Sequence, residues 1–204
     1  MIKAYSEMLQ DISGNDKEKR NKHLKIISRE VDNLTLLISD MLDLSKLETA
    51  NDELQISEFD LVNLVNEIII RFDYILQKND INIKLNTFKS EIIVKADRVK
   101  ISQVIYNLLG NCINFVGVDK IVYIDIKNIN DKVRIEVKDN GKGIKNEDLP
   151  HIFERYYKTN DKYRKIGVST GLGLSIVKNI LEKHNAQYGV DSTENVGTMF
   201  WFDI

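Results

Sequence analysis

Apolar residues at the head of the chain recur in threes and fours. Ile2, Tyr5, Leu9 and Ile12 mark one face of a short amphipathic helix that ends at Ser13-Gly14. Asn15, with Glu18 three residues on, has the form of a capping box that opens a second helix. There Leu24, Ile27, Val31, Leu34, Ile38 and Met41 hold the alternation for more than two heptads, the seam of a coiled coil. Leu36, Leu37, Leu42 and Leu44 widen the apolar face beyond one seam, so more than one helix has to cover it. Such a hairpin either packs on its own globular domain or meets a second copy in a four-helix bundle. The second is favoured, because an isolated pair of helices buries too little.

After residue 48 the period is lost. The spacing predicts a helical domain over 1–50, a linker over 51–57 and a second domain over 58–204. Phe59, Leu61, Leu64, Val65, Ile68, Ile69 and Phe72 read as a helix, and Ile81 to Leu85 and Glu91 to Lys95 as strands. Asp97 is placed to cap a helix carrying Val99, Ile101, Val104, Ile105, Leu108 and Leu109. Two strands joined through residues 128–131 follow, then the apolar helical run Leu172, Leu174, Ile176, Val177, Ile180 and Leu181, and two closing strands around 195–197. Helices with mostly antiparallel strands, without strict βαβ alternation, predict an α+β sandwich.

Composition narrows the classes of function. With 29 basic and 31 acidic residues, no global field calls for nucleic acid or an anionic membrane. No apolar run approaches the roughly 20 residues of a membrane helix, and the first residues lack the form of a signal peptide. The expectation is a soluble polypeptide, any membrane anchor lying elsewhere in a longer parent. Cys112 is alone, which suits a reducing compartment. His23, His151 and His184 are too scattered in sequence to suggest a metal cluster.

Two glycine motifs carry the candidate chemistry. Asp139-Asn140-Gly141-Lys142-Gly143-Ile144 follows a strand of alternating apolar and charged residues. An ionised Asp accepts from an amino group such as adenine's and repels a carbonyl in the same place. Gly141 and Gly143 can take positive φ and let a flat ring approach the backbone. Downstream, Thr170-Gly171-Leu172-Gly173-Leu174 opens the helical run, where free amides favour phosphate. Each motif alone is also consistent with a plain turn, but together and in this order they point to a nucleotide site. Asn107, Asn111 and Asn114, at i, i+4 and i+7, share one helix face. That stripe is either solvated or aims amide oxygens at Mg²⁺ held by nucleotide phosphates.

In order, residues 103–115, the Asp139 motif, Ile152-Phe153-Glu154-Arg155-Tyr156-Tyr157-Lys158, Gly171-Leu172-Gly173-Leu174 and Gly197-Thr198 resemble the N, G1, F, G2 and G3 boxes of bacterial sensor histidine kinases. Tyr5-Ser6-Glu7-Met8-Leu9 and residues 40–48 are similar to the ends of that family's two dimerisation helices. The resemblance implies half of a dimeric four-helix bundle, its first helix truncated, followed by a two-layer ATPase sandwich of the type shared with gyrase. It implies ATP and Mg²⁺ as cofactors, with Asp139 reading the adenine amino group, Gly141 and Gly143 giving the base room, and Asn111 ligating Mg²⁺ beside Asn107. Asn114, Phe115, Ile144, Tyr157, Leu172, Leu174 and Thr198 fall on its nucleotide-binding positions, Tyr157 serving either ligand or core. Residues 159–170 would be a lid, Gly171 to Gly173 would offer phosphate-facing amides, Lys158 would stabilise the transferring phosphate, and Phe153 would anchor the lid to the core.

Two departures stand out. The family commonly has a Lys where this chain has Asn114, which implies weaker ATP binding unless Lys158 or the lid's Lys162, Arg164 and Lys165 substitute. The phosphorylated His of its first helix has no counterpart here, and the expectation is a fragment that begins just after that motif and binds Mg·ATP without labelling itself. The parent would pass phosphate from ATP to a His and on to a response-regulator Asp, as a homodimer on the cytoplasmic side of a cell membrane. The competing readings are a nucleotide-binding regulatory module without catalysis and an anti-sigma-type serine kinase, the second having no need of the long hairpin.

Overall fold

The computed structural model describes residues 2–11, 16–48, 53–158 and 171–204. The Ser13-Gly14 stop, Asn15 and the expected lid with Lys162, Arg164 and Lys165 lie outside the described residues, as do the side chains of Leu36, Leu37, Met41, Leu42 and Leu44.

The head of the chain is a hairpin of α1 (Ile2–Asp11) and α2 (Lys17–Glu48). The second helix is capped one residue later than the spacing predicts. Asp16 accepts from the amides of Glu18 and Lys19, both at 3.1 Å, since its Oδ1 reaches the first turn of a helix that starts at Lys17. Tyr5 of α1 lies against His23 of α2, ring centroids 5.2 Å apart. On the same helix Leu24, Val31, Leu34 and Ile38 stay exposed.

Beyond the hairpin come β1 (Ile56–Asp60), α3 (Leu61–Arg71), α4 (Asp73–Asn79), β2 (Asn82–Thr87), β3 (Ile93–Asp97) and α5 (Arg98–Phe115). They are followed by β4 (Ile121–Ile129), β5 (Lys132–Asp139), a short 3₁₀ turn at Leu149–His151, α6 (Gly173–Lys183), β6 (Tyr188–Thr193) and β7 (Gly197–Asp203). Phe59, expected in a helix, is in β1 and pairs with Val94 of β3. The helix waits until Leu61 because Asp60 ends the strand, its carboxylate accepting from the amides of Val62 and Ile92, each at 3.0 Å. Asp97 caps α5 as the sequence predicts, Oδ1 taking the amides of Val99 and Lys100 at 3.0 Å.

β1 and β3 form a small antiparallel sheet, and the main sheet runs β2-β4-β5-β7-β6. Only the β2–β4 pairing is parallel there; the other three are antiparallel. This is the α+β sandwich expected. Alternation along the strands turns Val122, Ile124, Ile126, Ile135, Val137, Phe200 and Phe202 inward. α5 lies across this face over β5, with α3 and α6 packed beside it, and its Ile101, Val104, Ile105, Leu108, Leu109, Cys112 and Ile113 are buried. α2 also touches α6.

Candidate nucleotide site

The site is built from the inside of the sheet outward. The register sets Asp139 opposite Thr198 and on the same face as Ile135 and Val137. Its side chain is only 2% exposed, so the carboxylate depends on donors from the protein. The Gly141 amide donates to Oδ1 at 2.8 Å, Thr198 lies across the ladder, and the thiol of Cys112 sits close by, donating to the Val137 carbonyl at 3.6 Å. Burial pushes Asp139 up to about 6; the Gly141 amide foremost, with the polar groups of Cys112 and Thr198, draws it back, and the charge of Asp119 adds to the rise. At neutral pH the group is therefore ionised and accepts only.

The two glycines of this motif serve different ends. Gly143 has φ +67, the left-handed region, and a side chain there would run into the Thr193 carbonyl. Gly141 does not adopt the positive φ that the sequence suggests. It is small because the chain passes against the end of α5, where a Cβ would strike the carbonyl oxygen of Phe115 and stand 2.8 Å from Asp139 Oδ1. The requirement is close approach of backbone to backbone. Ile144 closes the turn, its amide donating to Ser192 Oγ at 2.8 Å, and Ser192 Oγ also bonds the Gly197 carbonyl and meets Thr198 Oγ1 at 3.0 Å.

α5 joins this end of the site to the other. At its C-terminus Phe115 borders Gly141, and in its middle Asn107 borders α6, its Oδ1 3.3 Å from where a Cβ on Gly173 would sit. Eight residues of helix separate the two, about 12 Å. Asn111 and Asn114 lie between them in sequence, both half-buried. Leu172 is buried at the entry to α6 and Leu174 packs on the core, so the amides of the first turn, which lack partners within the helix, stand at the glycines. Lys158 is exposed and its Cε comes within 3.1 Å of a Cβ position on Gly171, whose carbonyl accepts from the Tyr156 amide at 2.9 Å.

Other expected residues turn inward. Phe153 packs on the core, edge-on to Tyr188 at 5.3 Å. The Tyr157 hydroxyl donates to Asp148, which pushes its own ionisation up to about 12. His184 is the C-terminal cap of α6. Its Nε2 accepts the Asp97 amide at 3.2 Å and its Nδ1 meets the Ile180 carbonyl at 2.8 Å. Three contributors were not read from the sequence. Cys112 donates to the Val137 carbonyl two residues before Asp139, Ser192 ties the turn to β7, and Lys142 Nζ stands 5.1 Å over the Phe115 ring. None has a local signal, because each meets its partner across the fold.

Among the described residues no group of three or more His, Cys, Asp or Glu side chains is placed to hold a metal ion. The asparagine oxygens of α5 are hard neutral donors, and Asn107 is aimed at the helix start where anions are favoured. That donor set fits Mg²⁺ arriving with phosphates rather than an ion bound by the protein alone.

Residues 96–204 match the model of the histidine kinase-, DNA gyrase B- and HSP90-like ATPase, and the chain belongs to that family. Residues 1–50 match the His Kinase A (phospho-acceptor) domain, so the chain carries, in order, the phospho-acceptor and ATPase domains of a two-component sensor histidine kinase. Drug sensory protein A of Synechocystis is 34% identical over 221 residues, covering 100% of this chain and 32% of the relative. The chain thus spans about a third of that relative's length. Full-length ShkA in complex with AMPPNP superposes with a TM-score of 0.76 at 25% identity, over 91% of this chain and 38% of that one. Histidine kinase ThkA in complex with the response regulator protein TrrA gives 0.78 at 27% identity, over 100% and 56%. No helix among the described residues is long and apolar enough to cross a membrane.

Proposed function

We propose that this chain is the ATP-binding, catalytic portion of a sensor histidine kinase whose parent moves the γ-phosphoryl of ATP to a His on the first dimerisation helix and then to a response-regulator Asp. The observation that carries the reading is the span of α5, which leads from the buried carboxylate of Asp139 to the glycine start of α6. A nucleoside with its phosphates fits between a reader of amino groups and a cradle of amides.

In this reading Asp139 accepts from the adenine amino group, and Gly141, Gly143 and Ile144 form the wall beside the base with Phe115. Asn111, helped by Asn107, would hold Mg²⁺, which when bound offsets the negative charge of the phosphates. Thr198 steadies Asp139, and the amides from Gly171 through Leu174 take up phosphate. Lys158 brings positive charge to the transferring group. Asn114 supplies no charge, so binding is weaker than an Asn114→Lys variant would show. The parent acts as a homodimer through the hairpin, on the cytoplasmic side of a membrane that holds it through other segments.

The three histidines all have structural partners: Tyr5 beside His23, Glu154 at 2.8 Å from His151, and Asp97 with Ile180 around His184. These 204 residues should therefore bind Mg·ATP without labelling themselves. The test is incubation with γ-labelled ATP, with and without a first-helix segment bearing the acceptor His. Label on that segment only is the expected result. Label on His23, or none on the supplied segment while ATP binds, would overturn the catalytic reading.

A further inference from the structure

The turn after β5 is fixed through its backbone. The Gly141 amide donates to Asp139 Oδ1 at 2.8 Å, the Lys142 carbonyl accepts from the Asn195 amide at 2.5 Å, and the Ile144 amide donates to Ser192 Oγ at 2.8 Å. None of these bonds uses the Lys142 side chain, which instead reaches back to α5. There Nζ stands 5.1 Å from the centroid of the Phe115 ring and is shut off from water. Taking an ammonium out of water is costly unless other groups replace its hydration. An aromatic face does part of this, since its quadrupole is negative toward the cation. Phe115 is also the last residue of α5, where carbonyls without partners inside the helix carry the negative end of its dipole. The last turn of α5 has no basic residue of its own, so the turn after β5 brings the cation to it.

We infer that Lys142 is a positioning residue of the base pocket: its ammonium lies over the Phe115 ring and holds that ring in one plane as the wall beside the purine. This rests on the reading that Phe115 and Asp139 flank the base. The ring is only half-buried, so without the ammonium it has room to turn. The same placement assigns the charge to one end of the site. Phe115 is eight residues, about 12 Å of helix, from Asn107 beside the glycine start of α6. Lys142 therefore serves the base and does not stand in for the charge that Asn114 lacks at the phosphates.

The test compares wild type, Lys142→Met, Lys142→Arg, Phe115→Leu and the double variant Lys142→Met, Phe115→Leu, all as the whole chain. Methionine keeps the length of the side chain without its charge, and the backbone bonds of the turn stay in place, so the fold should survive. Mg·ATP is titrated by calorimetry at pH 7.5, and adenosine, which has no phosphate, by NMR. Lys142→Met should weaken both ligands by the same factor, about three- to tenfold, the scale of one cation–π contact. Lys142→Arg should stay within about twofold of wild type, because a guanidinium also stacks on an aromatic face. In the Phe115→Leu background the methionine should change adenosine binding by less than about twofold, since the ring it acts through is gone. Loss of Mg·ATP affinity with adenosine unaffected would place Lys142 at the phosphates and overturn the inference. So would a methionine effect that persists in full without the ring, an arginine variant as impaired as the methionine one, or a methionine variant that binds both ligands as wild type does. Failure of the underlying reading shows in wild type alone, as equal binding of ATP and inosine triphosphate, whereas failure of the inference shows only in the variants against wild type.

Discussion

Asp139 carries opposing demands on a single side chain. Recognition of an amino group needs the ionised form, and burial resists it, which leaves the group at about 6 in the unliganded protein. The unfolded chain releases the same proton near 3.8, so the folded state binds protons more tightly over the interval between. Stability is accordingly lost as pH rises from about 4 to about 6 and is level above that, an effect on the order of 3 kcal/mol for this group. In urea titrations, the stability of Asp139→Asn relative to wild type should shift in the variant's favour by that order between pH 4 and pH 7. A difference independent of pH would mean the carboxylate is not under strain. The residue was legible in sequence because its strand and its glycines announce a carboxylate at an exposed-looking turn. Its burial was not, since the Thr198 and Cys112 that enclose it come from far along the chain.

At the scale of elements, α5 organises the domain, and one glycine within it and one packed against its end show how different two such residues can be. Gly110 sits in mid-helix with the Phe72 ring 3.7 Å from a Cβ position, ordinary contact distance. Gly110→Ala should stabilise the domain by about 0.5–1 kcal/mol in thermal or denaturant unfolding, the cost of a helical glycine. Gly141→Ala, aimed into the Phe115 carbonyl, should do the reverse and weaken ATP binding as well. Equal effects from the two would contradict the close passage of this turn against α5. Asp97 joins α5 to its surroundings: besides capping the helix, its Oδ2 accepts the Gln55 amide at 2.9 Å and its own amide donates to His184 at the end of α6. The cap was legible, being a local pattern of Asp before an apolar helix. β1 was not, because Phe59 owes its extended state to Val94 on a strand distant in sequence, and local spacing merges it with the helix that follows. The parallel partner of β2 was equally silent, for the same reason.

For the molecule as a whole, the hairpin leaves an apolar stripe uncovered at Leu24, Val31, Leu34 and Ile38, each between 46% and 58% exposed. A second copy is the occupant that the heptad spacing of these residues favours. Sedimentation of a Val31→Glu, Leu34→Glu double variant should give a monomer where wild type gives a dimer, with the thermal unfolding of the ATPase sandwich unchanged. A wild-type monomer would remove the hairpin from the account of assembly. That seam was legible because a helix writes its period locally, whereas the joining of Asp139, α5 and α6 into one site is a property of the folded chain.

The central claim, that Asp139 reads an amino group, is tested most directly by the binding of ATP and of inosine triphosphate, which differ at the amino position, measured by calorimetry with Mg²⁺ at pH 7.5. The account predicts ATP bound about tenfold or more tightly than the inosine analogue by wild type, and a preference largely lost in Asp139→Ala. Equal binding of the two by wild type, or a preference that survives Asp139→Ala, would contradict it.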